Sequence, residues 1–203
     1  MKSIEDTLKT IEDIIKTIPA NIEVALIGGF AAILHGVERT TLDIDFCVYS
    51  SIINAPHEPS AFYNILIKHL PERFEARFVK GSSIPDDPLK HDIIFINDRL
   101  GEFLRIDLLM ARYKWELEAI HSAVNIAGIS VPVITKPYLA AMKLRSSGYK
   151  GAHDIEGLFN LMSEEEKAKT IELAKRIGRD QKLYTILTPL QEKSDDDLEE
   201  EII

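Results

Sequence analysis

Cysteine is nearly absent. Cys47 is the only one, which rules out an internal disulfide and a cysteine-built zinc site. No apolar run approaches the ~20 residues that a membrane helix needs. The N-terminal Met-Lys-Ser-Ile-Glu-Asp is amphipathic and acidic and has no signal-peptide core, so the cytoplasm is the expected location. Positive charge is also scarce: 24 Lys and Arg stand against 33 Asp and Glu, for a net charge of −9. Residues 192–203 hold seven acids and one Lys, so this tail carries −6 and the rest of the chain only −3. A broad basic surface for long duplexes is excluded, while a local basic patch is not. There are no internal repeats. The remaining material is 203 residues, 45% hydrophobic and 28% charged. That suffices for one domain with a sizeable core, or for a core with a small helical appendage.

Local pattern predicts a mixed α/β front half and a helical back end. Ile4, Leu8, Ile11, Ile15 and Ile18 keep a helical period, and Ser3 with Asp6 forms a capping-box pattern. Strands are expected at 22–27, 42–48, 74–79, 92–96 and 103–110. Ser60 is read as the N-cap of a helix running through Leu70. Segments 55–60 and 80–88 read as loops, the second rich in breakers. Val124 to Thr135 has β character broken at Gly128 and reads as a hairpin near a sheet edge. Helices follow at 137–145, 153–162 and 163–177, with Ser163 and Glu166 as a second capping box and Gly178 as a stop. The boundary is placed near Thr135: residues 1–135 form the α/β core, and residues 136–203 a helical segment with an acidic tail.

The chemistry concentrates in the run from Ala25 to Val48. A short apolar strand enters Gly28-Gly29, a helical turn follows to His35-Gly36, and a strand then carries Asp43-Ile-Asp45. Residues two apart on a strand face the same side, so the two carboxylates point together while Ile44 and Phe46 face a core. Like charges this close repel unless a cation lies between them, and a hard divalent ion prefers oxygen ligands of this kind. The bare backbone of Gly28 and Gly29 is a candidate phosphate contact. Asp107, in Arg105-Ile-Asp-Leu-Leu109, is a charge out of place in an apolar strand, and it completes a three-carboxylate cluster if that strand is adjacent. Two ions could then span the phosphates and an attacking hydroxyl.

These residues resemble the nucleotidyltransferase superfamily typified by DNA polymerase β. The segment from His35 to Asp45 is especially similar to the small abortive-infection-type and minimal members. The resemblance covers roughly residues 24–160 and implies an α+β fold: a mixed β-sheet core with helices on one face, followed by a C-terminal helical segment. It implies that Asp43 and Asp45 bind two Mg2+ ions, with Mn2+ as an alternative. It also implies that Asp107 assists the metal that activates the acceptor hydroxyl, and that Gly28 and Gly29 contact the triphosphate. The helix from Lys136 to Arg145 resembles the family's lysine-bearing helix, which makes Lys143 a candidate triphosphate contact, with Lys136 on the same face. Where relatives carry a tight run of Arg, Lys and two acids, this chain has Arg145-Ser-Ser-Gly-Tyr-Lys-Gly-Ala-His-Asp154. His153 stands in the place of the lysine, and Gly157 where a second acid would sit.

The implied activity is metal-dependent transfer of NMP from an NTP to an acceptor hydroxyl on an RNA end, a protein or a small molecule. A toxin-type role with an antitoxin partner is among the expectations, and no membrane partner is. The alternative is a non-catalytic module that binds nucleotide or a partner on the same fold. A phosphatase of the Asp-x-Asp nucleophile type is weaker, because no later Gly-Asp-x-x-x-Asp motif is present. Arg39 and Thr41 are counted with the nucleotide-binding candidates: Arg39 is weighed between contacting phosphate or bracing Asp43 or Asp45 and a surface ion pair, and Thr41 between orienting an aspartate and favouring strand geometry. Asp92 is a competing acid for the cluster. His35 and Cys47 read better as structural residues, and Trp115 and Tyr113 as packing rather than base-stacking groups.

Overall fold

The structure, a computed structural model, describes residues 2–52, 60–82, 91–145 and 149–188. The acidic tail, the loop at 55–59 and most of the 80–88 loop lie outside the described residues. The chain divides into two compact units, 1–34 with 39–135, and 35–38 with 136–203.

The first unit is built on a five-stranded mixed sheet. Its strands are β1 (Glu23–Ile27), β2 (Asp43–Tyr49), β3 (Phe74–Val79), β4 (Ile93–Asp98) and β5 (Arg105–Met110), in the spatial order β1-β2-β5-β4-β3. Only the β2–β5 pair is parallel. Alternation along these strands separates two faces. Ile44, Phe46 and Val48 of β2, Ile106 and Leu108 of β5, and Ile94 and Ile96 of β4 are all buried. Each such side chain contributes about 1.5–3 kcal/mol by leaving water. Helix α1 (Ile4–Thr17) buries Leu8, Ile11, Ile14 and Ile15 and packs on α3 (Ala61–His69), which buries Phe62 and Leu66. The Ser3–Asp6 capping box closes the N-terminus of α1. Helix α4 (Lys114–His121) packs on β1 and β2 and buries Trp115. Glu116 accepts the N–H groups of Arg112 and Tyr113 at 2.8 and 3.0 Å, which tie down the first turn of α4.

Three local expectations change. Ser60 makes no capping bond; its backbone sits at φ −93° and ψ 5° rather than in the extended region an N-cap uses. The hairpin expected over 124–135 at a sheet edge is reduced to a single antiparallel bridge, Val124 to Val133, held beside the edge strand β1 by the parallel bridge of Val133 to Leu26. Pro132 has no N–H to give a ladder, and its carbonyl instead accepts from Leu26 at 2.8 Å. The helical turn expected after Gly28-Gly29 is α2 (Gly28–Leu34), which takes both glycines into its first turn.

The second unit holds α5 (Lys136–Arg145), α6 (Tyr149–Asn160), α7 (Glu164–Arg176) and a further helix over 180–188. Leu144, Ile155, Ala174 and Leu183 form its core, with Ile177, Ile186 and Leu187 packed around them. The Ser163–Glu166 capping box is present, and Gly178 ends α7 at φ +65°. Gly157 has a packing reason: a Cβ there would stand 3.0 Å from Val37 Cγ1.

Candidate active site

The carboxylate cluster follows from strand register. Asp45 is paired with Asp107 across the parallel β2–β5 pair and with Ile27, the last residue of β1, on its other side. Asp43 lies two residues back on the same face. Asp43, Asp45 and Asp107 each offer a carboxylate oxygen, and these three atoms lie within 4.8 Å of one another. All three residues are partly exposed, so solutes reach them.

The glycine corner closes against this cluster. Gly28 adopts φ +72°, a left-handed conformation that L side chains rarely take, and a Cβ there would overlap the Asp45 carboxylate. A Cβ on Gly29 would lie 2.8 Å from Thr41 Oγ1 and 2.9 Å from Arg39 Cζ. The two glycines therefore let backbone, aspartate, threonine and guanidinium converge. The first N–H groups of α2 have no partner within their own helix. Thr41 Oγ1 donates to Asp43 Oδ1 at 2.9 Å and so orients that aspartate. Arg39 Nε donates to the Thr40 carbonyl at 3.2 Å, which holds the side chain over Gly29.

Arg105 is the residue that sequence reading assigns no role. Its Nε and Nη2 donate to the two oxygens of Asp107, both at 2.8 Å, and Nη2 also reaches Asp43 Oδ2 at 2.7 Å. The signal was present in the sequence, since Arg105 precedes Asp107 by two residues on a strand and must share its face. Burial pushes the Asp107 carboxyl above the usual carboxylate range, against the hydrogen bond and charge of Arg105, and the neighbouring Asp43 charge adds to the rise. A cluster of acids held by one guanidinium has the donor chemistry for a hard divalent ion. Asp43, Asp45 and Asp107 would be the ligands.

Other candidates fall elsewhere. Asp92 accepts the Gly81 N–H at 2.6 Å and is outside the cluster. Cys47 shares the aspartates' strand face but is fully buried; burial, then the charge of Glu116, pushes its thiol well up. Trp115 is core. Lys143 belongs to the second unit, where its ammonium meets the buried Asp154 carboxylate at 2.6 Å. Lys136 pairs with Glu166 at 3.0 Å and donates to the Leu161 carbonyl, and His153 Nε2 lies 3.3 Å from the Glu38 carbonyl.

No family model and no curated protein sequence matches this chain. Among solved structures, an antigenic nucleotidyltransferase-like protein from Paracoccidioides brasiliensis is 18% identical over 90% of this chain and 93% of its own, with a TM-score of 0.44. The antibiotic-resistance factor ANT(2'')-Ia, in complex with adenylyl-2''-tobramycin, is 15% identical over 85% of this chain and 99% of its own, with a TM-score of 0.48. Terminal uridylyl transferase 4 from Trypanosoma brucei is 9% identical over 78% of this chain and 53% of its own, with a TM-score of 0.43. These similar structures are nucleotidyltransferases or nucleotidyltransferase-like. Among the described residues, no helix is long and apolar enough to cross a membrane.

Proposed function

We propose that this chain is a metal-dependent nucleotidyltransferase that moves NMP from an NTP to an acceptor hydroxyl. One observation carries the reading: Asp43, Asp45 and Asp107 converge beside a glycine corner whose first residue, Gly28, sits at φ +72° against the Asp45 carboxylate. Two divalent ions, Mg2+ or Mn2+, held by the three aspartates would neutralise triphosphate charge and make the acceptor hydroxyl more acidic. The N–H groups of Gly28 and Gly29, with the Arg39 guanidinium beside them, orient the triphosphate. Thr41 fixes the rotamer of Asp43 through its hydrogen bond. Asp107 lies on the side of the cluster away from the glycine corner, which places its carboxylate to receive the acceptor's proton. The acceptor oxygen bonds to the α-phosphorus, the bond to the β-phosphate oxygen breaks, and pyrophosphate leaves. All of these groups belong to the first unit, so the proposal needs only residues of the sheet, of α2 and of the 39–42 segment that leads into β2.

A toxin-type role with an antitoxin partner is supported only by the likeness of the His35–Asp45 run to abortive-infection-type proteins. An adjacent gene for a small DNA-binding protein would strengthen it.

The test is to incubate the protein with α-labelled NTPs, Mg2+, total cell RNA and total cell protein. Label should enter one acceptor class, and Asp43→Ala or Asp45→Ala should reduce transfer at least about a thousandfold. Full transfer by either variant overturns the assignment. NTP binding without pyrophosphate release, across a broad acceptor panel, would favour a non-catalytic module instead.

A further inference from the structure

His153 and Gly157 stand where relatives carry a lysine and an acid, and the transfer reaction proposed above uses neither. They lie four residues apart on α6, and Leu161 follows four residues further on. Residues at this spacing share one helix face. Three consecutive residues of the 35–38 segment lie along that face. His153 Nε2 donates to the Glu38 carbonyl at 3.3 Å. A Cβ on Gly157 would stand 3.0 and 3.2 Å from the two methyls of Val37, which is buried. A Cβ on Gly36 would stand 3.3 Å from Leu161 Cδ1, and Gly36 itself turns the chain at φ +99°. The order is antiparallel, with residues 38, 37 and 36 meeting 153, 157 and 161. A glycine inside a helix is a destabilising choice. Here it makes room for a chain segment that crosses close to the helix backbone. These contacts place 35–38 in the second unit, whereas Leu34 and Arg39 on either side belong to the first.

We propose that this row of α6 is a clasp that positions Arg39 for the triphosphate, which makes His153 and Gly157 positioning residues of the transfer reaction. The inference rests on the transferase reading above and adds to it a requirement on the second unit. Only residues 39–42 join the clasped Glu38 to Asp43, the first residue of β2. Asp43 is fixed by its pairing with Arg105 across the sheet. These four residues are therefore held at both ends. Arg39 is the first of them, bonded directly to Glu38, and its guanidinium lies over Gly29. Releasing the clasp frees the end that carries Arg39 and leaves the end that carries Asp43 in the sheet. The phosphate contact and the metal ligands thus depend on different anchors. Asp43, Asp45 and Asp107 all lie on paired strands, so metal binding does not draw on the clasp, whereas nucleotide binding does. Val37 is the stronger point of attachment, because it is buried against Gly157. The hydrogen bond of His153 is exposed and competes with water, so it contributes less.

Calorimetric titration of the full chain with Mn2+ alone, and then with non-hydrolysable analogues of the four NTPs in saturating Mn2+, tests the clasp. Gly157→Val fills the space that Val37 occupies and should weaken binding of the preferred analogue roughly tenfold, the loss of one charge-assisted contact. Affinity for Mn2+ alone should stay within about twofold. Adding Val37→Ala to Gly157→Val returns the lost volume and should restore analogue binding. In an Arg39→Gln background Gly157→Val should cost nothing further, because the contact it acts through is already gone. Where Gly157→Val does not fold, His153→Leu and His153→Gln decide. The first loses the donor to Glu38 and should weaken analogue binding, while the second keeps a donor and should not. Unchanged analogue affinity in these variants overturns the inference. So does an equal loss with and without Arg39, or a parallel loss of Mn2+ affinity, since either marks a general structural effect. A wild-type chain that binds neither Mn2+ nor any analogue defeats the transferase reading and the clasp with it. A wild-type chain that binds both, with variants that bind as tightly, defeats the clasp alone.

Discussion

Arg105 stands directly opposite Asp43 across the parallel β2–β5 pair, and its Nη2 donates to Asp43 Oδ2 at 2.7 Å. The same guanidinium makes two bonds to Asp107. It is therefore the counter-ion of the cluster and a competitor for any divalent ion that binds there. Arg105→Ala should destabilise the metal-free protein by about 1 kcal/mol, a modest loss because the side chain is nearly half exposed. The same variant should bind Mg2+ several-fold more tightly. Thermal melts with and without Mg2+ check both effects: the Mg2+-induced rise in Tm should be larger in the variant.

Asp107 sets a pH dependence. Its folded-state carboxyl is raised above the ordinary value, chiefly by burial. Folding therefore favours its protonated form. Its contribution to stability is full below the unfolded pKa of ~3.9 and is lost as pH rises through the higher folded value. Asp107→Asn should consequently raise the Tm of the metal-free protein at neutral pH, with the gain vanishing below about pH 4. Divalent-ion affinity should move the opposite way in the native protein, falling as acid protonates Asp107 at a pH above the usual carboxylate range. Calorimetric Mn2+ titrations at stepped pH measure this.

Gly28 should not tolerate a side chain. Its φ of +72° alone costs an L residue about 1–2 kcal/mol, and the added Cβ would push the Asp45 carboxylate aside. Gly28→Ala should lower the Tm and abolish transfer together. Gly29→Ala should be milder, since the atoms it meets are the ends of Arg39 and Thr41 side chains. Its expected signature is a raised KM for NTP at near-native stability, read from steady-state kinetics and melts.

Lys143 has a structural partner in Asp154, whose carboxylate is buried. Lys143→Met should cost about 3–5 kcal/mol of stability, because it removes the ammonium from a carboxylate that remains buried. Urea denaturation measures the loss. A variant of native stability with a raised KM for NTP would instead favour a triphosphate role.

The sheet was legible because its strands alternate cleanly. Ile44 between the aspartates and Phe46 after them, with Ile106 and Leu108 around Asp107, announced both the core face and the carboxylate face. The two Ser-initiated capping boxes were equally clear, since each depends on residues three apart. What one strand does to another was harder to read. Arg105 acquires its role only when β5 lies beside β2, so that its guanidinium meets an acid 62 residues away in the chain. His153 likewise meets the Glu38 carbonyl, 115 residues away, only in the folded chain. Thr41 and Arg39 were ambiguous alone and gained meaning from the closeness of Gly29, which a linear reading cannot measure.

Diffraction from crystals grown with Mn2+ and a non-hydrolysable NTP analogue should show anomalous density among the carboxylates of Asp43, Asp45 and Asp107, the triphosphate against Gly28 and Gly29, and Arg105 released from Asp43. Mn2+ bound away from these three side chains, with Arg105 still bridging Asp43 and Asp107 beneath the nucleotide, would contradict the assignment.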